Sequence, residues 1–342
     1  MKPADATTSC PECETGAPIG RRDFLRAVGA TAAVAAAAPT ALQKARAARA
    51  EKQREAEAMV FELFKTMDSD QRKKLVLPWD YKAGGQPLPA RLMTANAAVG
   101  KSVIGLEYDR KQADLLHKIF KSISNGDEGY KKLSRNKGFD ASGDFENIGA
   151  LVYGEPAEGK KFSLVFSGHH ITVRCDGDSE EKTAFGGPLY YGHSPSGFAT
   201  NNVFYHQTKV VTELYEALDE KQRKAAVMPG KWMDGVNTVK LPAKDAKLPG
   251  ISIGDVSRDQ RELVEKVMKE LVSPYRKEDG DEVMEIIKAN GGMEKICLAF
   301  YQEGKTSASE PWTYWRLEGP GFVWSFRALM FTNVWMCGSA RA

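Results

Sequence analysis

Apolar residues recur at helical spacing from Glu51 to Met67, where Ala58, Phe61, Leu63, Phe64 and Met67 fall on one broad face. The same spacing between Asp109 and Ser124 aligns Ala113, Leu116 and Phe120. Three helix starts carry a shared signature, an Asp or Ser followed three residues later by Gln: Asp68 with Gln71, Asp219 with Gln222, and Ser257 with Gln260. This is the capping box, in which two side chains satisfy the free N–H groups of a helix start. The irregular spacing of the three argues against a solenoid.

Strand patterns gather in two other regions. The first, about 148–191, holds Ala150-Leu-Val-Tyr153, then Phe162 to Ser167 continuing through Gly168 and His169-His170 to Cys175. The second, about 296–337, holds Ile296 to Tyr301, Trp312 to Glu318, Phe322 to Arg327 and Phe331 to Met336. Short Gly- or Pro-bearing turns between some of these predict antiparallel hairpins. Helices and strands are segregated without a βαβ rhythm, so the expected class is α+β, with mostly antiparallel sheet packed against capped helices. Residues 51–342 are read as one such domain. The Pro- and Gly-rich stretch 229–256 is the best candidate for a subdomain boundary.

The first 50 residues read as an address. Arg21-Arg22-Asp23-Phe24-Leu25-Arg26 matches the twin-arginine pattern, an Ala-rich stretch runs from Ala27 to Ala38, and small-x-small sites follow at Ala45-Arg46-Ala47 and Ala48-Arg49-Ala50. The expectation is export by the twin-arginine machinery, through residues 20–50, to the periplasm or beyond. The apolar stretch is shorter than the ~20 residues of a membrane span, and no later run is long enough. Of 48 basic and 45 acidic residues in the 342-residue chain, seven and four lie in the first 50, which leaves 41 of each. The remaining chain is formally neutral and offers no sign of nucleic-acid binding. Cys10 and Cys13 would leave with the signal, so Cys175, Cys297 and Cys337 remain, enough for one disulfide at most.

Three of the five histidines fall within 25 positions: His169, His170 and His193. Read as a continuous strand, His169 shares a face with Ile171, Val173 and Cys175, while His170 shares the other with Thr172, Arg174 and Asp176. His193 lies in a loop rich in Gly and Pro, 186–197. His169, His170 and His193 are the candidate metal ligands, since neutral imidazole suits zinc or copper. The spacing matches no established zinc motif, and no nucleophile elbow, Walker loop or dinucleotide fingerprint is present. On the Trp312–Glu318 strand, Arg316 and Glu318 share a face, as a salt bridge or as a substrate-anchoring arginine beside a general base. Arg174, Arg316 and Glu318 are the candidate catalytic residues. Trp312, Trp315, Trp324 and Trp335 crowd the last 31 residues; core packing explains them more readily than a sugar-stacking platform.

Three stretches resemble the bacterial "domain of unknown function 3500" family: Phe166-Ser-Gly-His-His-Ile-Thr-Val173, Phe185-Gly-Gly-Pro188, and Trp315-Arg-Leu-Glu-Gly-Pro-Gly321 running on to Trp324. The capped helices, in which a Leu lies three or four residues before an Asp-x-x-Gln-Arg, are similar too, and the resemblance covers about residues 55–337. It implies an exported protein, often with a twin-arginine signal, from a family with no established activity. Many members carry a further histidine cluster near the C-terminus. This chain has no histidine after His206 and reads Phe-Thr-Asn-Val-Trp over 331–335. If that cluster completes a metal site elsewhere in the family, this chain has lost part of it. Two functions follow as expectations: an exported zinc- or copper-dependent enzyme built around the Ser-Gly-His-His stretch, or a non-catalytic exported protein that binds an envelope polymer or carbohydrate.

Overall fold

Among the described residues four helices start with a capping box, one more than the pattern announces, because Asp109 and Gln112 form a box of their own. In this computed structural model the described residues are 55–84, 88–92, 102–139, 143–181, 183–192, 197–229, 241–242, 246–302, 306–328 and 333–338. Their helices are α1 (55–66), α2 (Ser69–Leu75), α3 (Ile104–Glu107), α4 (Arg110–Ser122), α5 (Gly126–Leu133), α6 (Tyr205–Ala217), α7 (Glu220–Ala226), α8 (Arg258–Val272) and α9 (Lys277–Ala289). The strands are β1 (Val76–Leu77), β2 (Gly149–Gly154), β3 (Phe162–Gly168), β4 (Ile171–Cys175), β5 (Leu189–Tyr191), β6 (Val227–Met228), β7 (Ile251–Ser252), β8 (Cys297–Tyr301), β9 (Tyr314–Gly319), β10 (Phe322–Arg327) and β11 (Asn333–Gly338).

The strands form one sheet in the order β1-β2-β3-β4-β5-β11-β10-β9-β8-β6, with β7 beside β8. Only β1·β2 and β6·β8 are parallel pairs among those described. The fold is α+β, as the segregated patterns predict, and the two strand-rich regions fall where alternation puts them. One face of the sheet carries Leu164, Phe166, Ile171, Val173, Trp315, Leu317, Trp324 and Phe326 into the main core. The opposite face is also buried, although it carries Ser163, Ser167, Thr172, Arg174, Arg316, Glu318 and Ser325.

The strand order is a palindrome because the second half of the chain repeats the first. A helix pair leads into a two-residue parallel strand (α1-α2-β1, then α6-α7-β6), a second helix pair follows (α4-α5, then α8-α9), and four antiparallel strands end each half (β2 to β5, then β8 to β11). The register repeats too: Val76 pairs Val152 as Val227 pairs Phe300, and Leu77 pairs Tyr153 as Met228 pairs Tyr301. The halves join where β5 meets β11 antiparallel over three residue pairs centred on Trp335 and Tyr190. They also meet below the sheet, where Asn125 N–H donates to Pro274 O at 2.8 Å and Tyr191 Oη to Leu271 O at 2.8 Å. At Gly129 a Cβ would stand 2.3 Å from Pro274 O, so no larger residue fits that approach.

The repeat explains the capping boxes. In each half the two box glutamines face each other and exchange amide hydrogen bonds. Gln71 Nε2 donates to Gln112 Oε1 at 2.8 Å and receives at its own Oε1 from Gln112 Nε2 at 3.0 Å. Gln222 and Gln260 do the same at 3.0 and 2.7 Å. Each inner glutamine also donates to the end of the first helix of its half, Gln112 to Thr66 O of α1 at 3.2 Å and Gln260 to Ala217 O of α6 at 2.7 Å. The arginine after each outer glutamine lies over an aromatic ring eight residues back, on the helix before it, Arg72 over Phe64 at 4.5 Å and Arg223 over Tyr215 at 5.8 Å. A buried amide is costly unless it is paired, and this arrangement gives each of the four amide oxygens and nitrogens at least one partner.

One helix reading needs correction. The buried stripe of α1 is Ala56, Val60, Leu63 and Met67; Ala58 is exposed and Phe61 and Phe64 are half-buried. The two phenylalanines sit at the stripe's margins, Phe61 edge-on to Phe162 at 5.4 Å and Phe64 beneath Arg72. Cys175 and Cys297 are free thiols. Cys297 on β8 and Cys337 on β11 lie three strands apart, about 14 Å, well beyond the reach of a disulfide. The glutamine pairs predict that Gln112→Ala and Gln260→Ala each destabilise the fold by about 1–3 kcal/mol, because each strands a partly buried amide. Chemical denaturation of the two variants should return losses of similar size.

Candidate functional site

His169 and His170 are not on a strand. Gly168 pairs with Ile171, so the two histidines are the whole of the tight turn between β3 and β4. This corrects the continuous-strand reading, in which the rings point to opposite faces. The turn contains no Asn-Gly or Gly pair that would announce it. From Ile171 onwards the expected alternation holds: Ile171, Val173 and Cys175 enter the core, and Thr172 and Arg174 take the other face. The turn brings the two imidazoles side by side, ring centroids 4.2 Å apart with planes at 74°. His169 is exposed and His170 half-buried.

His170 is anchored twice. Its Nδ1 lies 2.7 Å from Tyr190 Oη, and its carbonyl oxygen accepts from Gly192 N–H at 3.1 Å. Tyr190 is fully buried on β5, paired with Thr172 of β4. His193 lies outside the described residues, but Gly192, its neighbour in the chain, touches the turn. Among the described residues no group of three His, Cys, Asp or Glu side chains is placed to hold a metal.

The other candidates share the turn's face of the sheet without joining it. Arg174 is buried and donates from Nε to Arg91 O at 2.7 Å and from Nη1 to Pro188 O. Its guanidinium thereby holds two loop segments onto the sheet. Arg316 and Glu318 form an ion pair, both side chains 7 % exposed. Of the two readings of that pair, salt bridge or substrate anchor beside a base, the structure has the salt bridge. Three strands lie between it and β4, so the two are four strand spacings apart, roughly 19 Å along the sheet. The structure thus brings His169 together with His170, and Arg316 with Glu318, and keeps the two pairs apart. Trp312, Trp315 and Trp324 are core residues, as the packing argument expects; the Trp335 side chain lies outside the described set.

The remaining histidines belong to helix packing. His117 is half-buried, stacked on Phe145 at 4.6 Å and 2.7 Å from Tyr130 Oη. His206 is 3.6 Å from Glu270 Oε1. Burial lowers the pKa of both, assisted by Lys121 and Lys132 respectively.

A second cluster escaped the sequence reading. Beyond the end of β4, Asp176 borders a cavity of about 40 Å³ shared with Tyr275, Arg276 and Asp279 from the second half. Burial pushes the Asp176 carboxyl up to about 6, against the pull of Glu180 N–H, which donates to it at 3.0 Å. Gly186, at φ +68°, lets the chain pass; a Cβ there would stand 2.5 Å from Asp176 Cγ. Arg276 grips Asp279 through Nε and Nη2 at 2.8 and 3.0 Å. The cavity has room for about three waters, which would satisfy Tyr275 Oη and Arg276 Nη1. Cys175 also lines it, its thiol pushed up to about 12 by burial, which makes it inert rather than redox-active.

Residues 54–334 match a family described as protein of unknown function (DUF3500). The chain belongs to this family. The match spans the histidine turn, both halves of the sheet and all four capping boxes, so the DUF3500 unit is the duplicated fold as a whole. No curated protein and no solved structure matches the chain. No helix among the described residues is long and apolar enough to cross a membrane.

Two predictions follow from the buried charges. Arg316→Met leaves Glu318 as an uncompensated buried carboxylate and should cost about 3–5 kcal/mol in a denaturation experiment; adding Glu318→Leu should recover much of that loss. Asp176 has a folded pKa above its ordinary 3.8. Its favourable contribution is therefore complete below about pH 4 and is lost as pH rises through about 6. Asp176→Asn should unfold at higher temperature than the wild type at pH 8, and the difference should vanish at pH 4.

Proposed function

We propose that this chain is exported by the twin-arginine route and that its function rests on a zinc or copper ion bound at the His169–His170 turn, with His193 as third ligand. The observation that carries the reading is the turn itself. Two imidazoles held side by side at 4.2 Å can serve one ion, which two rings on opposite faces of a strand cannot. The Gly192 contact with His170 supports His193 as the next ligand, because the chain reaches the turn one residue earlier. Export rests on the Arg21-Arg22 pattern and the small-residue sites that follow it. In this reading Arg174, Arg316 and Glu318 belong to the scaffold, since each is buried and engaged by its own half. A non-catalytic protein that binds a carbohydrate or envelope polymer is the second reading. It is less favoured because Trp312, Trp315 and Trp324 are buried and offer no stacking row.

The test is metal content by mass spectrometry on the chain from residue 51, purified without a polyhistidine tag, beside a His170→Ala, His193→Ala double variant. Near-stoichiometric zinc or copper that disappears in the variant is the expected result. A metal-free protein whose thermal stability is unmoved by either ion would overturn the proposal.

A further inference from the structure

We propose that His206, Glu270 and Lys132 form an acid-released latch between the two halves of the chain. The latch is independent of the histidine turn. Lys132 stands on α5 of the first half, and His206 and Glu270 on α6 and α8 of the second. Lys132 Nζ donates to Glu270 Oε1 and to Ser273 Oγ, both at 3.0 Å. The ammonium thus holds the corner between α8 and α9 that Asn125 also grips, through Ser273 O at 3.1 Å and Pro274 O at 2.8 Å. His206 Nε2 lies 3.6 Å from the same Glu270 Oε1, is shielded from solvent and makes no hydrogen bond among the described residues. While the imidazole is neutral, the carboxylate serves one cation. A proton on the ring sets a second cation against that oxygen, facing the first across the junction of the halves. Burial and Lys132 accordingly hold the His206 pKa below its usual 6.5, against the pull of Glu270 and of the Val203 backbone. An arrangement that moves Lys132 away and wets the ring returns His206 to its ordinary pKa, so acid favours that arrangement. The latch is therefore fully closed above about pH 6.5 and weakens as pH falls below it. Release has a short path to the sheet. Gln207, next to His206, donates to Tyr191 Oη, and that hydroxyl donates to Leu271 O, next to Glu270. Tyr191 lies on β5, the strand that joins the halves. Asp176, the other titratable group at their junction, is favourable in acid and works against release.

The experiment is amide hydrogen exchange, read by NMR on the untagged full chain and corrected for intrinsic rates, from about pH 7 to about pH 5. The Asn125 N–H, bonded to Pro274 O across the halves, reports the latch; the Ala150 N–H, bonded to Ser102 O within the first half, is the control. The expected result is that Asn125 loses protection with acid relative to His206→Gln, by up to about tenfold per pH unit, the limit for one proton, while Ala150 does not. Comparison with His206→Gln cancels the contribution of Asp176. In the same samples the His206 ring should titrate below 6.5, and Lys132→Met should raise its midpoint. A ratio of Asn125 protection between wild type and His206→Gln that stays constant with pH overturns the latch. A His206 midpoint at or above 6.5 in the wild type, or one unmoved by Lys132→Met, overturns it too. The wild-type midpoint needs no variant, so it decides even where a substitution unfolds the chain.

Discussion

The short pairing of β5 with β11 is the constraint on which the architecture depends. Each half of the chain brings a run of strands that stops at an open edge, β5 in one and β11 in the other. Three residue pairs close both edges at once and turn two sheets into one. The brevity of β5 has a local cause. Gly186, Gly187 and Pro188 precede it and Gly192 follows, so the chain is extended only from Leu189 to Tyr191. Those three residues support the inter-half seam, the hydroxyl that meets His170 and, through Tyr191, the contact with α8. A single short strand therefore couples the fold to the candidate site.

The halves share a scaffold and differ in chemistry. The turn that is His169-His170 in the first is Pro320-Gly321 in the second, and the strand positions filled by Val165 and Ser167 are filled by Arg316 and Glu318. Charges on the second face of the sheet are engaged within their own half, Arg174 by hydrogen bonds to carbonyl oxygens and Arg316 by the Glu318 carboxylate. Such buried charges add little net stability, because desolvation offsets most of the attraction. Their effect is on register: a one-residue slip would carry Arg316 to the apolar face, where it has no partner.

Local patterns were legible in the sequence and long-range pairings were not. Alternation located both strand-rich regions because period two survives without knowledge of partners. The capping boxes at Asp68, Asp219 and Ser257 could be read because all their atoms lie within four residues. The fourth, at Asp109, opens a helix already read from its apolar stripe and lacks the Arg that follows the Gln in the other three, and without it the repeat looked irregular. With it, the offsets are 151 residues from Asp68 to Asp219 and 148 from Asp109 to Ser257. The histidine turn was missed because nothing within Gly168–Ile171 distinguishes a strand from a hairpin apex until the partner of Gly168 is known. Tyr190 could not be chosen over Tyr191 from sequence, since the β4–β5 register alone decides which hydroxyl reaches His170.

A palindromic sheet has two equivalent outer margins, and that carries a hazard of its own. Any surface able to add a strand at one end could add it at the other, so a single exposed, regular margin would make the molecule a bifunctional monomer for end-to-end fibre growth. The strands at the two ends of the order are cut to two residues, Val76–Leu77 and Val227–Met228, each running directly into a proline, Pro78 and Pro229, and β7, which shares the β8 margin, is also only two residues long. Proline supplies no N–H to an incoming chain. The repetition that builds the sheet thus carries its own terminator twice.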